Sequence, residues 1–472
     1  MKIQFNPKDF LRKLQMAQKA VLGRHITPIL ENVKIVADKK SGVFLMATNS
    51  DVGIRIRVDC TIHKSGAAIL PVERLVKILK LTKEESVMLK RSETGIVLYD
   101  ESKHTELQMG CDPKEFPDIA AFPKSQYCEI PVGLLQETLR RTAFAVDKNS
   151  VRHALGGVCF ESNGGLLDVV ASDGRRMAWQ QLEGVSPLIG RSIVPVTTLT
   201  LLEKILKDKS VDKHDGAKMA FQKDGVMFQC GDVTLFSRLV DGEFPDWKTK
   251  VPNKRKMPHA TVRCGDLFSA IRRATVCTTL GKPAVRLVLD GGVLAVESRF
   301  VETVYGNPVE NGETEREEFE ESGTARITIP VSFSGHAEFA VCPKEIIDFL
   351  SAFNSATKLS VYLPADGKKQ AMIIPEEGYT YVVLPAENWD YEEPETVTGV
   401  EVDGQNLPEE ESMKKPEEVP PCPVDETETR ILQLLSENEQ LHARAEHYKA
   451  LLVRAMRVIA KAKEKDRCVA VA

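Results

Sequence analysis

Val169-Val170-Ala171-Ser172-Asp173-Gly174-Arg175-Arg176-Met177-Ala178-Trp179 runs as an apolar β-stretch, stops at Ser-Asp-Gly and returns as an alternating strand with two arginines at the corner. Asp-Gly between two such stretches predicts a hairpin, because glycine supplies the positive φ that a tight turn needs. The same phrase stands earlier as Leu45-Met46-Ala47-Thr48-Asn49-Ser50-Asp51-Val52-Gly53-Ile54-Arg55, and more faintly later as Leu294-Ala295-Val296-Glu297-Ser298-Arg299-Phe300-Val301. The chain repeats itself, and the repetition decides the fold.

Two further signals recur. Glu115-Phe116-Pro117-Asp118 returns 128 residues later as Glu243-Phe244-Pro245-Asp246. A short apolar strand meeting a helix near a proline appears at Ile69–Leu79, at Ile193–Leu206 and at Phe339–Leu350; proline suits a first helical turn, where its missing N–H costs nothing. Each unit also has an opening helix. These run from about Pro7 to Val21, Pro131 to Val146 and Gly265 to Cys277, with Phe10, Leu14 and Ala17, then Leu135, Leu139 and Thr142, then Leu267, Ile271 and Ala274 on the inward faces. The fold class is α+β, in three tandem units of helix, strands, helix, strands spanning 1–125, 126–254 and 255–387, the third lengthened by a Glu-rich insert.

Hydrophobic content of 42% and charged content of 28% are those of an ordinary globular protein. No apolar run is long enough to span a membrane, and the first residues, Met1-Lys2-Ile3-Gln4-Phe5, read as a strand and not as a signal peptide. A cytoplasmic location is expected. The ten cysteines show no Cys-x-x-Cys pair and no Cys/His ligand spacing, so they read as reduced thiols, with no metal and no cofactor. The net charge of −5 hides a division: 388–425 holds 12 acidic and 2 basic residues, a local net of −10, which leaves the rest of the chain at +5.

Residues 388–425 are rich in Pro and Glu and read as a disordered acidic linker. Across 426–464, Ile431, Asn438, Ala445, Leu452 and Ile459 repeat every seven residues, with Leu434, Leu441, Tyr448 and Ala455 at the offset positions. That pattern predicts a C-terminal coiled-coil helix; a helix docking on its own body is the other reading.

Taken together, Gly23-Arg24…Pro28-Ile29-Leu30, Val151-Arg152…Leu155…Gly157, Ser172–Ala178, Leu239–Asp246 and Tyr381-Val382-Val383-Leu384-Pro385 resemble the bacterial DNA polymerase III β subunit family, the sliding clamps, over about 1–387. The resemblance implies three tandem DNA-clamp domains, closed head to tail with a second copy as a ring homodimer. Such a ring surrounds double-stranded DNA without sequence preference, is placed there by a clamp loader, and tethers the DNA polymerase III alpha subunit and other proteins that carry a clamp-binding motif. It implies a processivity factor of replication, associated with the nucleoid and not with membranes.

The resemblance places Arg24, Asn149 and His153 at DNA. The helix faces themselves add Arg12, Lys19, Arg140, Arg141, Arg272 and Arg273, since a lining that reads no bases needs positive charge toward phosphates and little else. The resemblance also implies a peptide-binding groove at Leu155, Ser172, Gly174, Arg175, Arg176, Met177, Pro245, Val382, Val383, Leu384, Pro385 and Ala386. Its rim departs from the family at Thr249 and Lys250, where an arginine and an apolar residue are usual. The tail begins at this groove's edge, so Trp389 is a candidate occupant. At the ring contact, Leu107, Met109, Val276 and Cys277 are the expected apolar centre, with the Glu310–Glu321 insert facing basic groups of the neighbour.

No phosphate loop, His-Glu-x-x-His or Gly-x-Ser-x-Gly is present, and the Asp173/Arg175/Arg176 corner lacks the partners of a phosphoryl-transfer site, so no catalytic residue is expected. A clamp-like scaffold that assembles through its coiled coil and is never loaded on DNA is the alternative; the basic helix faces argue against it.

Overall fold

The computed structural model describes residues 1–20, 27–100, 103–148, 152–185, 190–208, 211, 216–279, 283–305, 318–333, 336–364, 367 and 370–386. Arg24, Asn149, most of the Glu-rich insert, Trp389, the linker and the heptad segment lie outside them.

The described elements form three successive runs of one order, each opening with a short strand ahead of its first helix. The first is β1 (Lys2–Phe5), α1 (Pro7–Lys19), β2 (Val33–Asp38), β3 (Gly42–Thr48), β4 (Val52–Val58), β5 (Cys60–Lys64), β6 (Gly66–Leu70), α2 (Val72–Leu81), β7 (Val87–Arg91), β8 (Gly95–Asp100) and β9 (Lys103–Gln108). The second is β10 (Cys128–Pro131), α3 (Val132–Thr142), β11 (Gly157–Asn163), β12 (Leu166–Ser172), β13 (Arg176–Glu183), β14 (Arg191–Pro195), α4 (Val196–Leu206), β15 (Gly216–Phe221), β16 (Gly225–Cys230) and β17 (Val233–Arg238). The third is β18 (His259–Arg263), α5 (Cys264–Thr275), β19 (Val285–Asp290), β20 (Val293–Tyr305), β21 (Glu318–Pro330), β22 (His336–Val341), α6 (Pro343–Leu350), β23 (Lys358–Tyr362), β24 (Met372–Glu376) and β25 (Tyr379–Val383).

The helices end where local chemistry ends them. Asn6 caps α1, its Oδ1 accepting from the N–H groups of Lys8 and Asp9, with proline in the first turn. The second opening helix is shorter than its periodicity predicts: Thr138 and Thr142 turn their hydroxyls onto the carbonyls of Leu134 and Thr138, and residues Ala143–Ala145 tighten into a 3₁₀ turn. Within each run the two helices pack together, α1 on α2, α3 on α4 and α5 on α6. Their apolar faces meet the sheets in one continuous core that holds Phe10, Leu14, Leu135, Leu139, Leu267 and Ile271.

The sheets do not respect the runs. One eight-stranded sheet has the order β10-β15-β16-β17-β4-β3-β2-β6, and another β14-β11-β12-β13-β25-β24-β23-β18. The last strand of each run thus adds to the middle hairpin of the run before it, through the ladders Val233↔Ile56 to Ser237↔Val52 and Tyr379↔Gln180 to Val383↔Arg176. Of the two smaller sheets, each confined to one run, β9 and β5 end β5-β1-β7-β8-β9, and β21 and β22 end β21-β20-β19-β22.

The predicted hairpin at 169–179 is present as β12 and β13, with Gly174 at φ 92° in the corner. Its faint third copy has no corner at Ser298. There β20 and β21 continue as a ribbon, paired from Val293↔Pro330 out to Tyr305↔Glu318, because the insert moves the turn outward.

Candidate protein-binding groove and nucleic-acid lining

The second junction brings two faces together around the β13–β25 ladder. Ala178, Tyr381 and Val383 point into the main core, whereas Met177 and its ladder partner Val382 point the other way. On that second face lies a separate apolar cluster of Leu155, Val170, Met177, Phe244, Trp247, Ile373 and Val382, edged by the half-buried Ala154, Trp179, Val240, Val251, Met257 and Tyr362. A buried floor with a half-exposed apolar edge is the chemistry of a pocket for apolar peptide anchors. Leu384, just past the ladder, remains 40% exposed.

The corner of the hairpin is held by hydrogen bonds to its own backbone. Ser172 Oγ donates to the Arg176 carbonyl at 2.8 Å and accepts from Gly174 N–H at 3.1 Å. Asp173 Oδ1 accepts from the N–H groups of Arg175 and Arg176, both at 2.9 Å. Arg176, only 8% exposed, donates to Asp173 Oδ2 at 2.9 Å, Asp348 Oδ2 at 2.8 Å and the Phe144 carbonyl at 2.9 Å. Arg175 donates to Glu345 Oε1 at 3.2 Å and to the Pro385 carbonyl at 2.9 Å. Both arginines therefore bind the second run to α6 of the third. Burial pushes the Glu345 carboxyl up, against the pull of Arg175.

The structure gathers Leu155, Met177 and Val382 of the sequence-predicted groove into one cluster and sets Ser172, Gly174, Arg175 and Arg176 at the adjoining corner. Pro245 is exposed beside the buried Phe244, and Pro385 and Ala386 are half-buried. Val383 is different: it is fully buried in the main core, because its side chain alternates with that of Val382. Trp247, which residue spacing alone did not single out, fills the floor. Its ring lies 4.8 Å from Trp179, and its Nε1 donates to Glu161 at 3.2 Å. The recurrence of Glu-Phe-Pro-Asp was the available signal, since Phe116 and Ile119 plug the matching cluster of the first junction just as Phe244 and Trp247 do here.

The cationic helix residues fall into two groups. Lys19, Arg140, Arg272, Arg273 and His153 are exposed. Arg12 is engaged, bound to Asp9 at 2.7 Å and to Asp208 of the second run. Arg141 pairs with Glu137 at 2.6 Å, and its guanidinium sits 4.7 Å from the centre of the Phe353 ring of the third run. Both lie across junctions, so their charge is largely neutralised in place. A cleft of about 390 Å³ near the first junction is lined by Lys19, Lys148 and Lys204 together with Asn49, Thr197 and Thr200. Lys148 and Lys204 were missed in the sequence because they sit on different elements, a loop and α4, with no shared periodicity.

Among the described residues no group of side chains could hold a metal ion, and no helix is long and apolar enough to cross a membrane. Burial pushes the Cys60, Cys159 and Cys230 thiols up to about 12, and Cys128 to about 11.

Residues 1–120 match the family model of the DNA polymerase III beta subunit N-terminal domain, and residues 129–246 that of its central domain, together just over half the chain. The chain belongs to the DNA polymerase III beta subunit family. The beta sliding clamp of Halalkalibacterium halodurans is 26% identical over 358 residues, 73% of this chain and 89% of that protein. The beta sliding clamp of Staphylococcus aureus is 28% identical over 321 residues, 64% and 83% of the two chains. In fold, the DNA polymerase sliding clamp of Bacillus subtilis matches with a TM-score of 0.70 at 23% identity, covering 82% of this chain and all of that one. Beta sliding clamps are non-catalytic processivity factors of the polymerase, and no catalytic role is assigned to any residue of this one.

Proposed function

We propose that two copies of the chain close head to tail into a ring around duplex DNA and tether the replicative polymerase, the clamp loader and other peptide-bearing partners at the Leu155–Met177–Val382 groove. One observation carries this reading. The last strand of one run pairs with the middle hairpin of the preceding run at both internal junctions, in the same register. Continued once more, that rule needs β9 of one copy on β21 of the next, and both are end strands of their sheets. Lys103, Val233 and Tyr379 each open the last strand after its hairpin, so Leu107 corresponds to Ser237 and Val383. Leu107 then faces Gly323 of the second copy. Val276, 80% exposed at the end of α5, would be covered together with Met109 and Cys277.

Three domains per copy, divided near 125 and 254, would then give six pseudo-equivalent units. Lys19, Lys148, Lys204, Arg140 and Arg272 supply positive charge to a sequence-blind lining, joined by Arg24, Asn149 and His153. Topology holds the ring on DNA and charge makes the passage favourable. The test is retention on a closed circle: protein loaded by a clamp loader should remain on circular duplex and leave once a restriction enzyme cuts it. Equal retention on both forms would refute encirclement.

A further inference from the structure

We infer that a basic, aromatic cavity on the sheet face of the first junction binds single-stranded DNA, taking phosphates on Arg55, Arg57, Lys124 and Lys218 and a base on Tyr127. The cavity holds about 480 Å³, and those residues line it together with Phe44 and Phe122. It is separate from the proposed lining of the ring. Along β4, Ile54 and Ile56 enter the main core, on the side where α1 packs. Arg55 and Arg57 alternate with them and so point away from the helices, Arg55 half-buried and Arg57 exposed.

The ladders show why these cations are left without anions. Arg55, opposite Thr234, stands where Trp179, opposite Thr380, stands at the second junction. Phe44, opposite Arg57, stands where Asp168, opposite Gln181, does. At the second junction Asp168 Oδ1 accepts from Trp179 Nε1 and Gln181 Nε2, both at 2.9 Å, and Trp247 fills the remaining space. At the first, a ring replaces that carboxylate. The Arg55 guanidinium lies 4.0 Å from the centre of Phe44, which fixes its plane and leaves its donors unspent. Burial lowers its pKa, with no acidic neighbour to offset the cost. None of the four cations pairs with a carboxylate among the described residues: Asp232, also in the lining, is held by Lys13 at 3.1 Å, and Glu129, opposite Lys218, lies over Gly216. A guanidinium fork held flat on a ring suits bidentate contact with phosphate. Tyr127 is 40% exposed, with Lys218 Nζ 5.1 Å from its ring centre and Phe122 edge-on at 5.6 Å. An exposed ring among cations is a stacking platform for an unpaired base. A duplex, whose bases are already stacked and paired, cannot use it, and an acidic peptide would engage the cations alone.

Fluorescence anisotropy of a labelled oligothymidylate, titrated with the full-length chain over a salt series, tests this. Arg57→Ala with Lys124→Ala, both at exposed positions where folding is not at stake, should lower the slope of log affinity against log salt by about 0.7 for each phosphate no longer neutralised. Tyr127→Leu should weaken binding about tenfold and leave that slope unchanged, since it removes stacking and no charge. Retention on circular duplex should be the same in all three chains. An unaltered chain that ignores the oligonucleotide at low salt would overturn the site. So would a larger loss from Lys148→Ala with Lys204→Ala than from the Arg57 and Lys124 pair, which would place the strand among the helices. If Tyr127→Leu binds as the unaltered chain does, and polyglutamate competes as well as the oligonucleotide, the cavity takes acidic peptides and the single-strand assignment fails.

Discussion

Replacing Arg176 by methionine should loosen the second junction far more than an exposed arginine would. The guanidinium donates to two carboxylates and to the Phe144 carbonyl, all within 2.9 Å, from a side chain 8% exposed. Methionine fills much of the volume but leaves Asp173 and Asp348 without their cation. Removing one partner of a buried pair costs about 3–5 kcal/mol. Asp348 is one-third exposed and water can partly re-solvate it, so the lower end, about 3 kcal/mol, applies here. Trp179 and Trp247 lie in the apolar cluster beside this corner, and their fluorescence therefore reports on this junction. With a urea dependence of about 1–3 kcal/mol per molar, the midpoint of their transition should fall by about 1–3 M. Asp348→Asn combined with Arg176→Met should recover part of the loss, because the uncompensated charge is then gone. A midpoint within about 0.3 M of the unaltered chain would refute the idea that this guanidinium ties the runs together.

Met177→Asp should abolish binding of an apolar anchor peptide while leaving the dimer intact, since it puts a charge into the face shared by Leu155 and Val382; peptide titration by fluorescence polarisation checks it, and unaltered affinity would move the groove elsewhere. Lys148→Ala with Lys204→Ala should lower the slope of log affinity for short duplexes against log salt by about 0.9 for each phosphate that is no longer neutralised, which an unchanged slope would contradict. Burial raises the folded-state pKa of Glu345, so its stabilising proton is fully present below 4.5 and is lost as pH rises through the raised folded value. Glu345→Gln should therefore flatten the fall in urea midpoint between pH 4.5 and 7.5, and parallel pH profiles for the two proteins would speak against it.

Much of this architecture is legible in local patterns. The Ser-Asp-Gly corner, the proline-led second helices and the two Glu-Phe-Pro-Asp segments are short-range devices, and each appears where its spacing predicts. The Ser298 corner failed for an equally local reason. A hairpin can lengthen without changing the alternation of its strands, so periodicity marks the strands and not the turn between them.

The sequence by itself determined that one α+β order recurs three times, which residues of the opening helices face inward, and that those helices carry surplus positive charge. It could not determine what those charges touch. Arg12, Lys19, Arg140 and Arg141 all read as cations on the outer face of an amphipathic helix, yet Arg12 meets Asp208 and Arg141 meets Phe353 across junctions, whereas Lys19 and Arg140 stay open. The apolar cluster of the proposed groove is likewise a product of tertiary structure. Met177 and Val382 are 205 residues apart and share one wall only because β25 adds to β13. A period of 2 or 3.6 residues fixes which side of an element is buried, but the partner that buries it is chosen by packing between distant segments, and only the assembled sheets make that choice.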